Sequence, residues 1–320
     1  DIVNFRLENL QLYSFKDYAV WLSYVSHFFI EGLEIDSSSA GVVRGKRGLF
    51  IDHAIEPHVS EVIYENINYG IYLSHVHRGV FSLLTGAHAD YVSDANVSVH
   101  IDNTYRSHFS DIVSEYWNTI GMEVLASEDN TFKGITSRHV KGHLLTVYDS
   151  SRNKFIGGVL SDVNDKNALQ YAVYCSGTSI GNVFESLNLM NARYGFYESG
   201  SADYNIVTRC YFSGNTDPVR TCGSNTKIYQ NVGYITESSG TATVANGEYI
   251  AHGIDSSLNI GQSNSTVQIT SYTTTYDGVP VVVGCNFVNA THIQVSAYWV
   301  NGTAITDDAI QVWWSVEYTG

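Results

Sequence analysis

Apolar and polar positions along the middle of the chain repeat as a phrase: a short apolar strand, a corner rich in Ser and Asn, then Phe and a second strand. The phrase runs over Met122–Ile135, Leu145–Val159, Ala172–Phe184 and Gly195–Val207. Its anchors Phe109, Phe132 and Phe155 stand 23 positions apart, Phe184 follows after 29, and Val207 takes the place after another 23. A period in this range is the mark of stacked supersecondary units. The apolar runs are short and rich in Val, Ile, Tyr and Phe, with no long stretch at helical spacing, so they read as strands. Asn-Gly and Asp-Gly turns, the signature of hairpins, are scarce among them.

About 23 residues suits one coil of three short strands and three corners. Each strand then pairs in parallel with its equivalent one coil away, about 4.8 Å along the axis. The fold expected from this is an all-β, parallel β-helix. Only 3 prolines in 320 residues agree with it, because an internal strand must donate to both neighbours and Pro cannot. Earlier coils are read at Val3–Leu12, Val20–Leu33 and Tyr69–Phe81, with side loops in the irregular stretch Ser37–Asn96.

The corners Asn130–Gly134 and Asn153–Gly157, both Asn-x-Phe-x-Gly, resemble those of the right-handed, pectate-lyase-like β-helix family. That resemblance implies a ladder of corner amides, to which Asn130, Asn153, Asn182, Asn205 and Asn225 would contribute. The 29-residue step to Phe184 departs from the family's regularity.

The repeat fades after Asn225–Val232, and Glu237–Thr241 reads as a linker. Beyond it, Thr243–Val244, Ser265–Tyr272, Val279–Gly284, Thr291–Trp299 and Ile310–Tyr318 alternate on a two-residue period. Asp277-Gly278 and Asn301-Gly302 supply turn signals, so this part reads as a small antiparallel β-sandwich or jelly-roll. The expected division is 1–236 for the solenoid and 237–320 for the second domain. Gly240–Gly247, Ala251–Gly253, Phe287 and Val312–Glu317 resemble modules appended to viral tail-spike-like proteins. The likeness implies that the module caps the solenoid, assists trimerisation or binds glycans.

Composition narrows the partners. The net charge is −15 with 17 basic residues, which argues against non-specific nucleic-acid binding. No apolar run reaches membrane-spanning length. Abundant Tyr, Ser, Thr and Asn, with sequons at Asn96, Asn264, Asn289 and Asn301, point to an extracellular, secreted or virion-surface protein. Phe5, Leu7, Leu10 and Leu12 already alternate as in a mid-coil segment, which suggests a processed or trimmed chain. Cys175, Cys210, Cys222 and Cys285 lack metal-ligand spacing. Cys210–Cys222 is a possible bridge, and buried thiols are the competing reading.

Candidate chemistry follows from aligning the coils on Val99, Val124, Val147, Val173, Phe196 and Val219. The next, outward position reads His100, Leu125, Tyr148, Tyr174, Tyr197 and Arg220. Tyr148, Tyr174 and Tyr197 would form an aromatic strip ending at Arg220, a platform for pyranose rings or, alternatively, a sheet-stabilising ladder or subunit interface. Asp149 and Glu198, two coils apart, are spaced for an inverting glycoside hydrolase pair, although acids beside Ser-rich corners also cap backbone amides. Asp162 and Asp165 are candidate Ca²⁺ ligands, the one cofactor considered. The His75/His77 and His139/His143 pairs are close in sequence but lie on strand and coil, where their spacing is no metal signature.

The leading expectation is a non-enzymatic β-helix shaft, homotrimeric, that engages cell-surface polysaccharide. The alternatives are a polysaccharide hydrolase or lyase of the pectate-lyase-like class, which the resemblance implies, and a purely structural fibre or sheath subunit.

Overall fold

The computed structural model describes residues 2–13, 15, 17–37, 47–87, 97–161, 170–221, 223, 225–234, 237–251, 254, 265–271, 275–276, 279–289, 291–299, 302–304 and 310–318. They divide into two compact units, Asp1–Thr226 and Lys227–Gly320. Every regular element among them is a strand.

The first unit is a parallel β-helix built on two long sheets. The first sheet stacks Ile2–Val3, Tyr18–Ser26, Arg47–Ile55, Tyr69–His77, Val97–Asp102, Ile120–Leu125, His143–Tyr148, Tyr171–Ser176, Tyr194–Glu198 and Asp217–Arg220 in that order. The second stacks the strands between them, from Arg6–Tyr13 and Phe29–Asp36 through Lys154–Ser161 and Val183–Met190 to Ile206–Thr208. The expected third strand is reduced to a ladder of single parallel bridges, His77–Tyr105–Glu128–Ser151–Ile180–Asp203. The Ser37–Asn96 stretch holds three regular strands of the stack, Arg47–Ile55, His58–Glu65 and Tyr69–His77, and a fourth, Val80–Ala87.

The core follows from the repeat. Phe81, Phe109, Phe132, Phe155 and Phe184 are buried one above another, with successive ring centroids 4.6–5.0 Å apart. In the first sheet two consecutive residues turn inward near the start of a strand, as Gly48-Leu49, Gly70-Ile71, Gly121-Met122 and Ala172-Val173 do. The residue on either side of such a pair therefore faces out. The leading position is small in these strands, although Leu144 fills it in His143–Tyr148; at Gly70 a Cβ would lie 2.0 Å from the Tyr64 ring and 2.4 Å from Ser98 O. Tyr64 occupies that space, fully buried, its hydroxyl 2.8 Å from Ser98 Oγ.

The corner amides form the implied ladder over four members. Asn130, Asn153 and Asn182 each donate through Nδ2 to the next Asn Oδ1, 3.0–3.1 Å away, and that oxygen also accepts the backbone N–H. In a parallel column the backbone N–H groups of Thr104, Ser127 and Ser150 donate to the hydroxyls of Ser127, Ser150 and Ser179 at 3.0–3.2 Å. Asn225 does not continue the amide ladder. Asn205 N–H donates to Thr226 Oγ1 instead, while Asn225 donates to Asp203.

The second unit contains two antiparallel sheets. One pairs Ile310–Tyr318 with both Glu237–Val244 and Ser265–Ser271; the other runs Tyr249–Ala251, His292–Trp299, Val279–Asn289, Thr275–Tyr276. Ile293, Val295 and Ala297 from one meet Val312, Trp314 and Val316 from the other in a shared core. Glu237–Thr241, expected as a linker, is the first half of a paired strand. Its Ser and Thr residues hid a strand whose backbone is held by Ile310–Tyr318. Asp277-Gly278 and Asn301 lie outside the described residues.

Candidate functional site

On the outer face of the first sheet, the double inward turn brings pairs of residues three apart into flanking columns. Tyr171 and Tyr174 bracket buried Ala172-Val173, and Tyr194 and Tyr197 bracket Gly195-Phe196 one coil on. The four phenol rings form a cluster: Tyr171 stacks on Tyr197 with centroids 4.6 Å apart and planes 7° apart, and Tyr194 lies 4.9 Å from Tyr197. Tyr174 sits 5.1 Å from Tyr171 and 5.7 Å from Tyr197, and His143 stacks on Tyr171 at 4.7 Å. The Arg220 guanidinium lies 5.5 Å from the Tyr197 centroid and donates to Tyr194 Oη at 3.4 Å. Partial burial, aided by the neighbouring Tyr197 and Tyr174, pushes the Tyr171 hydroxyl above its usual range.

Tyr174, Tyr197 and Arg220 thus lie together as expected, but Tyr148 stands apart. Its register partner is Ser176, whereas Tyr174 pairs with Thr146. The outward column that ends at Arg220 reads His100, Glu123, Thr146, Tyr174, Tyr197. Val124 and Val147 lie two places beyond Met122 and Leu145, the residues that close the inward pairs of their strands and match Val173 in register. A two-residue slip preserves which face a side chain takes but changes its column. Tyr171 and Tyr194 were missed, although Tyr-x-x-Tyr recurs 23 positions apart at 171/174 and 194/197.

A second aromatic group occupies the same face nearer the N-terminus. Arg47 lies 5.1–5.9 Å from the rings of Tyr18, Phe50, Tyr69 and Tyr72 and donates to Tyr18 Oη at 2.6 Å. Trp21, 61% exposed, stacks on Tyr18. Tyr72 stacks on His100, which pairs with Glu123 at 2.8 Å. Four coil steps separate Tyr72 from Tyr174, roughly 19 Å at strand spacing.

The expected acid pair does not share a surface. Glu198 continues the inward column Val147, Cys175 and is 2% exposed. Its carboxylate accepts from Asn205 Nδ2 and Thr226 Oγ1 at 2.8 Å and from Gly223 N–H at 3.1 Å. Asp149 is exposed at a left-handed corner, φ 47°, and accepts from Thr178 N–H and Oγ1 at 2.7 and 3.0 Å. Asp162 and Asp165, the proposed Ca²⁺ ligands, lie outside the described residues, as does Cys222. Cys175 and Cys210 are buried thiols.

The corner after the first sheet carries a cleft of about 550 Å³ lined by Ile55, His77, Arg78, Tyr105, Arg106, Glu128, Asp129 and Arg152. His77 stacks on Tyr105 at 5.1 Å. Partial burial and the charges of Arg78, His75 and Arg106 push the His77 imidazole below its usual range. Arg152 bonds Asp129 at 2.8 Å and holds that carboxyl low; Arg78 pairs with Glu56 at 3.1 Å. A second cleft, about 360 Å³, shares Ile55 and His77 with the first and reaches Tyr24, His53 and His75. The sequence offered little warning of these clefts, because they combine the ends of first-sheet strands with residues of a third face reduced to single bridges.

Comparison with solved structures agrees with the architecture. The ORF18 structure from Geobacillus virus E2 aligns with 94% of this chain and 70% of its own, at TM-score 0.50 and 11% identity. The A-module of the mannuronan C-5 epimerase AlgE6 from Azotobacter vinelandii aligns with 67% and 76%, at TM-score 0.41 and 13% identity. The Dettilon tailspike protein gp208 aligns with 98% and 86%, at TM-score 0.39 and 11% identity. The fold is a right-handed parallel β-helix. No family model and no curated protein matches the chain.

Proposed function

We propose that this chain is a glycan-engaging β-helix protein of an extracellular or virion surface, working as a homotrimer, with the outer face of the first sheet as its saccharide platform. The observation that carries the reading is the phenol cluster Tyr171/Tyr174/Tyr194/Tyr197 with Arg220. Aromatic faces pack against the C–H faces of pyranoses while phenol hydroxyls and a guanidinium bond their edges. Trp21 and the aromatic ring around Arg47 repeat the same chemistry farther along, which suits an extended chain better than a single sugar.

Glycan-array screening followed by calorimetry on the best ligand tests it. Tyr174→Ala and Tyr197→Ala are each expected to weaken binding about tenfold, equivalent to ~1.4 kcal/mol. Binding that survives both together rejects the platform.

A second reading, cleavage of a polysaccharide, is favoured by the corner cleft. There an imidazole biased toward its neutral form, a phenol and three guanidiniums face one space, a set suited to moving a proton beside a negatively charged group. Polysaccharide panels scored for reducing ends and for unsaturated products address it. Turnover lost in His77→Ala but kept in Asp149→Asn and Glu198→Gln would locate the chemistry in the cleft. Loss in the two acid variants would return it to the original pair.

A further inference from the structure

At the corner that ends the first sheet, one residue per coil takes left-handed backbone: Tyr24, His53, His75, Asn103, Ala126 and Asp149. On three successive coils this column is aromatic. Tyr24 stacks on His53 with centroids 4.7 Å apart, and His53 stacks on His75 at 4.3 Å with planes 11° apart. Asp52, just before the corner, turns its carboxylate toward both imidazoles. Its Oδ1 lies 2.8 Å from His53 Nδ1 and 3.5 Å from His75 Nδ1.

We infer that Asp52, His53 and His75 form a site for a divalent transition ion of the zinc class, bound through the carboxylate and the two Nδ1 atoms. The inference is independent of any glycan reading.

Three physical points support it. First, two imidazoles and one carboxylate are the ligand types that such ions select, and all-oxygen ions do not. Second, the donor atoms all fall within 4.8 Å of one another. The 2.8 and 3.5 Å separations bracket the edge of a tetrahedron whose metal–ligand bonds are about 2.0–2.2 Å, an edge of roughly 3.4 Å. Third, the rings are already oriented. Tyr24 covers the outer face of His53, and Ser74 Oγ lies 2.8 Å from His75 Nδ1. When the hydroxyl donates there it occupies the Nδ1 lone pair, which marks the tautomer a ligand needs; the ion would take that lone pair in its place, with Ser74 turning to the Asp52 carboxylate it also neighbours. His53 Nδ1, facing the carboxylate, would release its proton on binding.

The ion would bridge the strands Arg47–Ile55 and Tyr69–His77, which pair through Asp52 and Ser74 and through Ala54 and Val76. Three protein donors leave a fourth position open, and both histidines line the 360 Å³ cleft. A hydroxyl- or carboxylate-bearing ligand could complete the coordination there.

The test is titration of the full chain, stripped with chelator, with Zn²⁺ against a chromophoric competitor. Co²⁺ absorption in the visible range serves as a second readout of imidazole ligation. One ion per chain is expected, uncompeted by millimolar Mg²⁺ or Ca²⁺. His53→Gln, His75→Gln and Asp52→Asn should each weaken it by more than the ten- to hundredfold that losing an outer-shell partner costs, and each should lose the Co²⁺ band. His58→Gln, on the outer face of the second sheet, should bind as wild type. Absence of saturable Zn²⁺ binding overturns the proposal. So does unchanged affinity in both histidine variants, which would leave the carboxylate as the only ligand. Thermal unfolding without metal shows that each variant is folded before it is titrated.

Discussion

Single residues decide whether each coil closes, and Glu198 is the clearest case. A buried carboxylate that accepts three hydrogen bonds holds the last Asn of the ladder, so removing it orphans donors in the interior. Glu198→Ala is expected to lower stability by about 2–4 kcal/mol, read from the urea midpoint. Gly195 acts by its absence of bulk: a Cβ there would meet Phe212 at 2.5 Å and Pro218 O at 2.7 Å. Gly195→Ala should cost about 1–3 kcal/mol and spread the tyrosine pairs on the opposite face of the strand. Cys210 gives a pH signature. Burial pushes its thiol up to about 11 from 9.0, so above the unfolded value the unfolded chain releases a proton that the native chain keeps. Stability from this group is present below pH 9 and lost as pH rises toward 11. Cys210→Ala should flatten that decline in denaturation curves taken from pH 8 to 11, and a decline unchanged by the substitution would assign it elsewhere. Glu198 was visible in the sequence only as an acid beside a Ser-Gly corner. Its inward direction follows from alternation with Phe196 and Tyr197, but the donors that hold it, Asn205, Thr226 and Gly223, are not placed beside it by the local sequence.

At the scale of the element, the Phe stack and the amide ladder were legible because each draws on one residue type at one interval. The tyrosine cluster was half legible. Tyr174 and Tyr197 emerged, but Tyr148 was drawn in by a two-residue slip, since strands with apolar residues at both inward places, Met122 and Val124 or Leu145 and Val147, offer two equivalent alignments. The double inward turn resolves the ambiguity, and its trace in sequence is a small residue before an apolar one: Gly70-Ile71, Gly121-Met122, Gly195-Phe196. The ladder also predicts how damage spreads. Asn153 serves the coil on each side, taking the Asn130 amide and donating to Asn182 and to Ser127 O. Asn153→Ala should therefore cost about 2–3 kcal/mol and speed amide exchange in both adjoining coils. Exchange confined to one coil would mean that the ladder carries no coupling.

For the whole molecule, a net charge of −15 leaves few cations; Arg78, Arg106 and Arg152 meet at one corner, while exposed Arg6, Lys133, Arg138, Lys154 and Arg209 are spread over other coils. Among the described residues no helix is long and apolar enough to cross a membrane. Light scattering at micromolar concentration is expected to report about three times the 35.4 kDa chain mass; a monomer would reject the proposed trimer. The left-handed corner has a wider consequence. Its side chains leave the core, and on three successive coils Tyr24, His53 and His75 meet their counterparts one coil up or down, so these can be exchanged without repacking what lies beneath. The edge that carries Tyr24, His53, His75, Asn103, Ala126 and Asp149 is in effect a row of sockets spaced at one strand width. A new binding specificity could be written there one residue per coil, while the Phe stack and the amide ladder keep the scaffold unchanged.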